Sequence, residues 1–593
     1  MTTEAPAPPY RDASLPIEQR VSDLLARMTL EEKAGLMFQD MIAPGPGGEL
    51  AEANPAFGLG STREAVAGKH LNHFNLLGSV QDARETATWH NGLQELAAGT
   101  RLGIPVTLST DPRNHFSDNP GTAATAGAFS QWPETLGLAA LRSPELVERF
   151  ADVARQEYLA VGIRAALHPQ VDLATEPRWA RVVATFGEDA DLTSELVAAY
   201  VRGFQGERIG PDSVSTMTKH FPGGGPQKDG EDPHFPYGKE QVYPAGMFEH
   251  HLKPFEAAIA AGTSQIMPYY GMPVGTEHEE VGFGFSKSVI TGLLRERLGF
   301  DGIVCTDWGL LTDAVILGQD VPARAWGVEH LSPLERAEKV LLAGCDQFGG
   351  ESRPELVVEL VRTGRVSEER IDVSVRRLLR EKFRLGLFEN PYVDVEAAVR
   401  TVGNERFVRD GELAQRRSMT LLTNRDGVLP LDAATTGPVY VEGLDPELVR
   451  RRGLRVVDDP AQAQLALVRL RAPYEPRPGG FEAMFHAGSL EFAPAERERL
   501  RALLAAVPTV VDLYLDRAAV VPELAEGAAA LLVDHGSSAE AFLDVALGVV
   551  APEGRLPFDL PSSTAAVERS RPDAPFDTVA PLFRFGHGLS CGG

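Results

Sequence analysis

The chain has 593 residues and an acidic balance, 57 Lys plus Arg against 83 Asp plus Glu, for a formal net charge of −26. That charge repels phosphate backbones and anionic lipid, which excludes nucleic acid and membrane surfaces as expected partners. A hydrophobic content of 43% is ordinary for a globular protein, and the length exceeds what one core usually serves, so two domains are expected. The three cysteines, Cys305, Cys345 and Cys591, are odd in number and too widely spaced for a disulfide framework or a zinc-ligand pattern.

In chain order, residues 1–15 (MTTEAPAPPYRDASL) are Pro- and Ala-rich and are expected to form a flexible tail. They lack the apolar core of a secretory signal, and no later run reaches the ~20 apolar residues of a membrane span, so a cytoplasmic location is expected. Helical spacing starts with Val21, Leu24, Leu25 and Met28, and Thr29 to Glu32 reads as a capping box. A strand–helix rhythm follows. The strand candidates are IPVTLST (104–110), IRAALHP (163–169), SVSTMTKHF (213–221), SQIMPYY (264–270) and GIVCTDW (302–308). The clearest helices between them are residues 145–162 and 247–262. This alternation predicts an α/β protein with an N-terminal (β/α)8 TIM-type barrel over residues 16–390, although only these strands can be counted directly. A linker over 391–410 is expected next. VYVEG (439–443), LALVRL (465–470), TVVDLYL (509–515) and AALLVDHG (529–536) then predict an open α/β sandwich domain over 411–593.

The first-domain strand candidates end in polar residues: Asp111; His168 and Asp172; Lys219 and His220; Tyr270; and Asp307 beside Trp308. In a barrel these ends share one face, so residues remote in sequence would surround one pocket. Carboxylates, cations, a phenol and an aromatic wall suit a neutral polyhydroxylated ligand. FPGGGPQKDGEDP (221–233) has neither GxGxxG nor Gly-Lys-Ser/Thr and is a poor phosphate loop.

Several motifs in one order carry a resemblance. RVSDLLARMTLEEKAGLM, EPRWARVVATFGEDADL, KHFPGGG, CTDW, RRLLREKFRLGLFENPYVD, SMTLLTNRDGVLPL, GRLPFDLP and FRFGHGLS together resemble a two-domain member of glycoside hydrolase family 3, the β-glucosidase group, over nearly the whole chain. The resemblance implies a retaining, exo-acting β-glycosidase that forms a covalent glycosyl-enzyme on Asp307 and needs neither metal nor cofactor. It also implies that Asp111, Arg181, Lys219, His220, Tyr270 and Trp308 bind the sugar, with Arg178 a further candidate. The expected partner is a small carbohydrate or glycoside, and a homodimer is the assembly considered. β-Xylosidase and β-N-acetylglucosaminidase are the alternative activities.

Two departures from the family pattern bear on the acid/base. The usual second-domain glutamate motif is not closely matched. Glu475, at the carboxyl end of a strand candidate, is the favoured acid/base, and Glu482 is an alternative. Many members also carry an arginine just after Lys-His-Phe, where this chain has Lys228 and Asp229, followed by Asp232-Pro233-His234. That resembles the Asp-x-His acid/base pair of the β-N-acetylglucosaminidase branch and makes His234 the other alternative.

Overall fold

A computed structural model describes residues 8–54, 58–117, 119, 121–316 and 318–590. Residues 1–7 of the expected tail and Cys591 lie outside the described residues. The rest of that tail packs against the barrel domain. Pro9–Arg11 form a 3-10 turn, Tyr10 is buried, and its hydroxyl donates to Leu102 O at 3.0 Å.

Eight parallel strands make the first sheet: Phe38–Ile42, His73–Leu76, Thr107–Thr110, Ile163–Ala166, Ser215–Phe221, Gln265–Pro268, Ile303–Val304 and Phe348–Gly349. They are called strands one to eight below. The last pairs with the first, and a parallel bridge between Cys305 and Gln347 joins the seventh to the eighth. The sheet therefore closes into the expected barrel. The first, second and eighth strands are absent from the sequence reading for a physical reason. No apolar run marks them, because polar residues or glycine interrupt each: Gln39 and Asp40 in the first, His73 and Asn75 in the second and Gly349 in the eighth. Gln39 Nε2 donates to Ser109 Oγ at 2.6 Å, and Lys382 Nζ reaches Asn72 O at 2.9 Å and Thr107 Oγ1 at 2.7 Å.

The helices follow their patterns. Ile17–Arg27 buries Val21, Leu24 and Leu25, and Thr29 and Glu32 form the capping box. Pro144–Ala160 and Lys253–Ala260 are the two crossover helices expected. Residues 391–410 are not an open linker. They hold helix Val395–Thr401 and the start of helix Glu405–Ser418. Between these helices Gly403 N donates to the buried Glu157 at 2.8 Å.

The second sheet orders its strands Thr420–Asn424, Ala530–Asp534, Thr509–Tyr514, Leu465–Arg471, Val439–Glu442 and Val456–Val457. All pairings are parallel except that of the Thr420–Asn424 edge strand. After Arg471 the chain leaves the sheet toward the mouth of the barrel. Arg517, 1% exposed, fixes this crossing. Its guanidinium donates to Arg178 O of the barrel at 2.8 Å and to Pro473 O, Ala487 O, Gly488 O and Ser489 O at 3.0 Å each. The 473–489 loop is thereby tied to a barrel loop.

Candidate active site

Asp307 follows the seventh strand and is 6% exposed. Its Oδ1 accepts the Trp308 N–H at 2.8 Å, while Oδ2 is buried without a hydrogen-bond partner. Gly309 makes the turn beyond it with φ +70°, a left-handed conformation glycine adopts readily. The Trp308 ring leans on Gly350, φ +64°, where any Cβ would lie 2.4 Å from the indole.

The fifth strand brings Lys219 and His220 to the same cavity. Lys219 Nζ donates to Asp111 Oδ1 at 2.9 Å, and Asn75 Nδ2 donates to Asp111 Oδ2 at 3.0 Å. His220 is oriented by the buried Asp172, whose Oδ2 lies 2.7 Å from Nδ1. Its other nitrogen, Nε2, stands 3.9 Å from the free Oδ2 of Asp307 and 3.4 Å from Arg181 Nη2. Burial, reinforced by Arg181, pushes His220 well below the usual imidazole range, so it is neutral with its proton toward Asp172 and a lone pair toward Arg181. The Asp307 carboxylate therefore faces a neutral imidazole and not an imidazolium. Burial opposes the charge of Arg181, but Tyr269, Asp232, Asp307 and Asp172 hold the guanidinium above its ordinary range. Tyr270, pushed well above the phenol range by burial and then by Asp307, donates to Trp308 O at 2.8 Å.

Asp111, Arg181, Lys219, His220, His234, Tyr270, Asp307 and Trp308 all line this one cavity, of about 130 Å³. His168 does not join them. Its ring is in the core, with Nδ1 2.5 Å from Tyr200 Oη and Nε2 3.3 Å from Tyr158 Oη. Arg178 is also outside, held bidentately by Glu176 at 2.8 and 2.9 Å.

The acid/base candidates separate sharply. Glu475 is exposed and does not line the cavity. A narrow antiparallel bridge, Glu475 to Ala487, and stacking of Tyr474 on His486 at 3.8 Å fold the loop back. The Glu475 carboxylate then lies along Gly488, where a Cβ would come within 2.2 Å of Oε2. Glu482 faces Tyr237, whose hydroxyl donates to it at 2.5 Å, and it too is outside the cavity. His234 is inside and 4% exposed. Its Nδ1 lies 2.6 Å from Asp232 Oδ1, which leaves Nε2 for the pocket. Trp179 Nε1 donates to the other Asp232 oxygen at 2.9 Å. Burial alone would raise the Asp232 pKa, but His234 and then Arg181 hold it at about 2.

Sequence reasoning missed Arg324, Asp40 and Phe481. Arg324 comes from the segment after a short hairpin, Ala314–Ile316 with Gln319–Val321. Its guanidinium lies 5.7 Å from the Tyr270 ring and 6.0 Å from Phe481. It supplies a cation to the cavity that Lys228 does not, because Lys228 is exposed and paired with Glu240. No local motif marks Arg324, since its place depends on that hairpin. Phe481 is the second domain's side chain in the cavity and packs edge-on to His234 at 5.9 Å.

A closed barrel whose strand ends gather polar groups around a carboxylate with one free oxygen is an arrangement that suits a glycoside hydrolase. Comparison with known proteins agrees. A profile of the glycosyl hydrolase family 3 N-terminal domain matches residues 58–381. β-Glucosidase C of Emericella nidulans is 58% identical over 98% of this chain and 94% of its own length. A periplasmic β-glucosidase/β-xylosidase of Dickeya chrysanthemi is 41% identical over 98% of this chain and 91% of its own length. The chain belongs to glycosyl hydrolase family 3. Its fold is also that of a solved exo-1,3/1,4-β-glucanase from a Pseudoalteromonas species, with a TM-score of 0.78 at 22% identity over 97% of this chain and 96% of the other.

Proposed function

We infer that the chain is a retaining, exo-acting β-glucosidase that removes terminal non-reducing β-D-glucosyl residues from oligosaccharides or glycosides. The observation that carries the reading is the buried, unpartnered Oδ2 of Asp307 among hydroxyl-binding side chains. The close relatives named β-glucosidase support the sugar.

In the first step Asp307 Oδ2 bonds to the anomeric carbon as the glycosidic C–O bond breaks. A proton from His234 Nε2 goes to the departing oxygen. Asp232 stabilises the imidazolium through Nδ1, and the Tyr270, Phe481 and Phe485 rings keep water from it. In the second step the neutral Nε2 takes a proton from water, whose oxygen attacks the anomeric carbon and releases Asp307. Lys219, Asp111, Arg181 and His220 hold the hydroxyls of the sugar throughout, and Trp308 walls its apolar face.

A 2-deoxy-2-fluoro-β-glucoside with an activated leaving group slows the second step more than the first and traps the intermediate. Peptide mass spectrometry is expected to find the fluoroglucosyl group on the peptide containing Asp307. A label on another carboxylate overturns the assignment.

A further inference from the structure

The cations of the catalytic cavity differ in how they are paired. Lys219 is bound to Asp111 at 2.9 Å. Arg181 donates to Gln170 Oε1 at 2.9 Å and has Asp232, Asp307 and Asp172 about it. Arg324 is 5% exposed and lines the same cavity, yet among the described residues it forms no ion pair. Its one side-chain hydrogen bond is long, from Nη1 to Trp308 O at 3.5 Å, and its Nε is buried without a partner. The free Oδ2 of Asp307 accepts no hydrogen bond from it. A buried guanidinium with five donors and one weak acceptor is costly to keep unless a ligand completes its shell.

The backbone fixes where this cation stands. Arg324 N donates to Gly309 O at 2.9 Å, in the turn after Asp307. Two residues on, Trp326 Nε1 donates to Pro233 O at 2.8 Å. The segment is thus fastened both to the nucleophile turn and to the loop of His234. The guanidinium and the His234 ring share two neighbours. Tyr270 lies 5.7 Å from the guanidinium and 4.8 Å from the imidazole, and Phe481 lies 6.0 and 5.9 Å from them. An acid on His234 has to face the leaving oxygen, so Arg324 stands on the aglycone side of the scissile bond. Trp308, Ile316 and Phe481 line the cavity with it, and such apolar surfaces suit an aryl ring.

We propose that Arg324 recognises a carboxylate on the aglycone, so that β-glucosides of hydroxylated aromatic acids, joined through the phenolic oxygen, are preferred substrates. The proposal rests on the β-glucosidase reading and on His234 as its acid. The planar guanidinium fork matches a carboxylate in a bidentate pair. The chain's net charge of −26 disfavours anions at long range, so a preference for an anionic aglycone has to come from a local, unpaired cation. The chemistry is unchanged: the bond broken joins C1 to the phenolic oxygen, and the carboxylate takes no part in it.

The test compares 3-carboxyphenyl and 4-carboxyphenyl β-glucosides with their carbamoyl counterparts, which are neutral and nearly isosteric, at a pH at which the acids are ionised. In the wild type at least one acid is expected to have a KM at least about tenfold below that of its amide. Arg324→Met is expected to abolish the preference. Arg324→Lys, which keeps the charge without the fork, is expected to retain part of it. A wild-type KM that is no lower for either acid overturns the proposal, as does a preference that survives Arg324→Met. Both results leave the β-glucosidase reading standing. No turnover of any of the four glucosides by the wild type overturns that reading and the proposal with it.

Discussion

In the proposed mechanism Asp307 and His234 divide the chemistry through their surroundings. Asp307 has one oxygen tied to the Trp308 N–H and one facing a neutral His220, so a lone pair on the free oxygen is open to the pocket. His234 is pushed below the usual imidazole range by burial, and Asp232 opposes that shift without cancelling it. An acid must be protonated in the free enzyme, so activity is lost as pH rises through this lowered value. The kcat/KM of a substrate with a poor leaving group is therefore expected to decline above a midpoint lying below ~6.5. Asp232→Asn removes the support and moves that limb to still lower pH, which a pH–rate profile reads directly. An unmoved limb would dissociate the two residues. Of the residues that short motifs could identify, Asp307, Lys219, His220 and Asp111 sit within one or a few positions of a strand end, where local chain direction decides which way a side chain faces, while Arg181 lies well beyond the fourth strand and is marked by its EPRWAR motif. Glu475 also follows a strand, but its orientation is set by the distant Ala487, Gly488 and His486 and by Arg517 beyond them. Nothing local in Pro473-Tyr474-Glu475 encodes that.

At the scale of elements, the barrel was legible where strands carry apolar or β-branched runs and illegible where polar residues interrupt them, as Gln39 and Asp40 do in the first strand and His73 and Asn75 in the second. The second domain's contribution was legible as a loop but not in its content: Phe481 of that loop lines the cavity, and Glu475 and Glu482 stand outside it. Arg517 is the element's fastening. Burial lowers its pKa to about 10, so it stays charged at neutral pH, and five backbone carbonyls depend on it. Arg517→Met leaves those acceptors buried and unpaired at a cost of about 3 kcal/mol. The variant is expected to lose ~5 °C or more in Tm and to show a raised KM as Phe481 loses its seat. An unchanged melting curve with unchanged KM would mean that the loop holds itself.

Across the whole molecule, Glu188 joins the two domains. It leaves the fourth barrel strand's loop and accepts the backbone N–H groups of Asp559 at 2.5 Å and Phe576 at 3.0 Å. Burial, with help from Asp559 and Asp189, pushes its carboxyl up to about 8 against the backbone hydrogen bonds. The folded protein therefore binds a proton that the unfolded chain, with an ordinary glutamate pKa near ~4.3, releases. The resulting stability is present at pH 4 and is lost as pH rises through about 8. Melting curves between pH 5 and 9 are expected to show the wild type falling relative to Glu188→Gln, which has no proton to lose. Parallel curves would remove Glu188 from the pH dependence.

The central claim is that Asp307 works with His234 and not with a second-domain glutamate. A series of aryl β-glucosides with leaving groups of increasing pKa, extended to cellobiose, measures this most directly through kcat/KM. His234→Gln is predicted to fall by about 10²–10⁴ on the poorest leaving groups and by less than about tenfold on the most activated one, which needs no proton. Glu475→Gln is predicted to follow the wild type across the series. A steep leaving-group dependence in Glu475→Gln with a wild-type profile in His234→Gln would contradict the account.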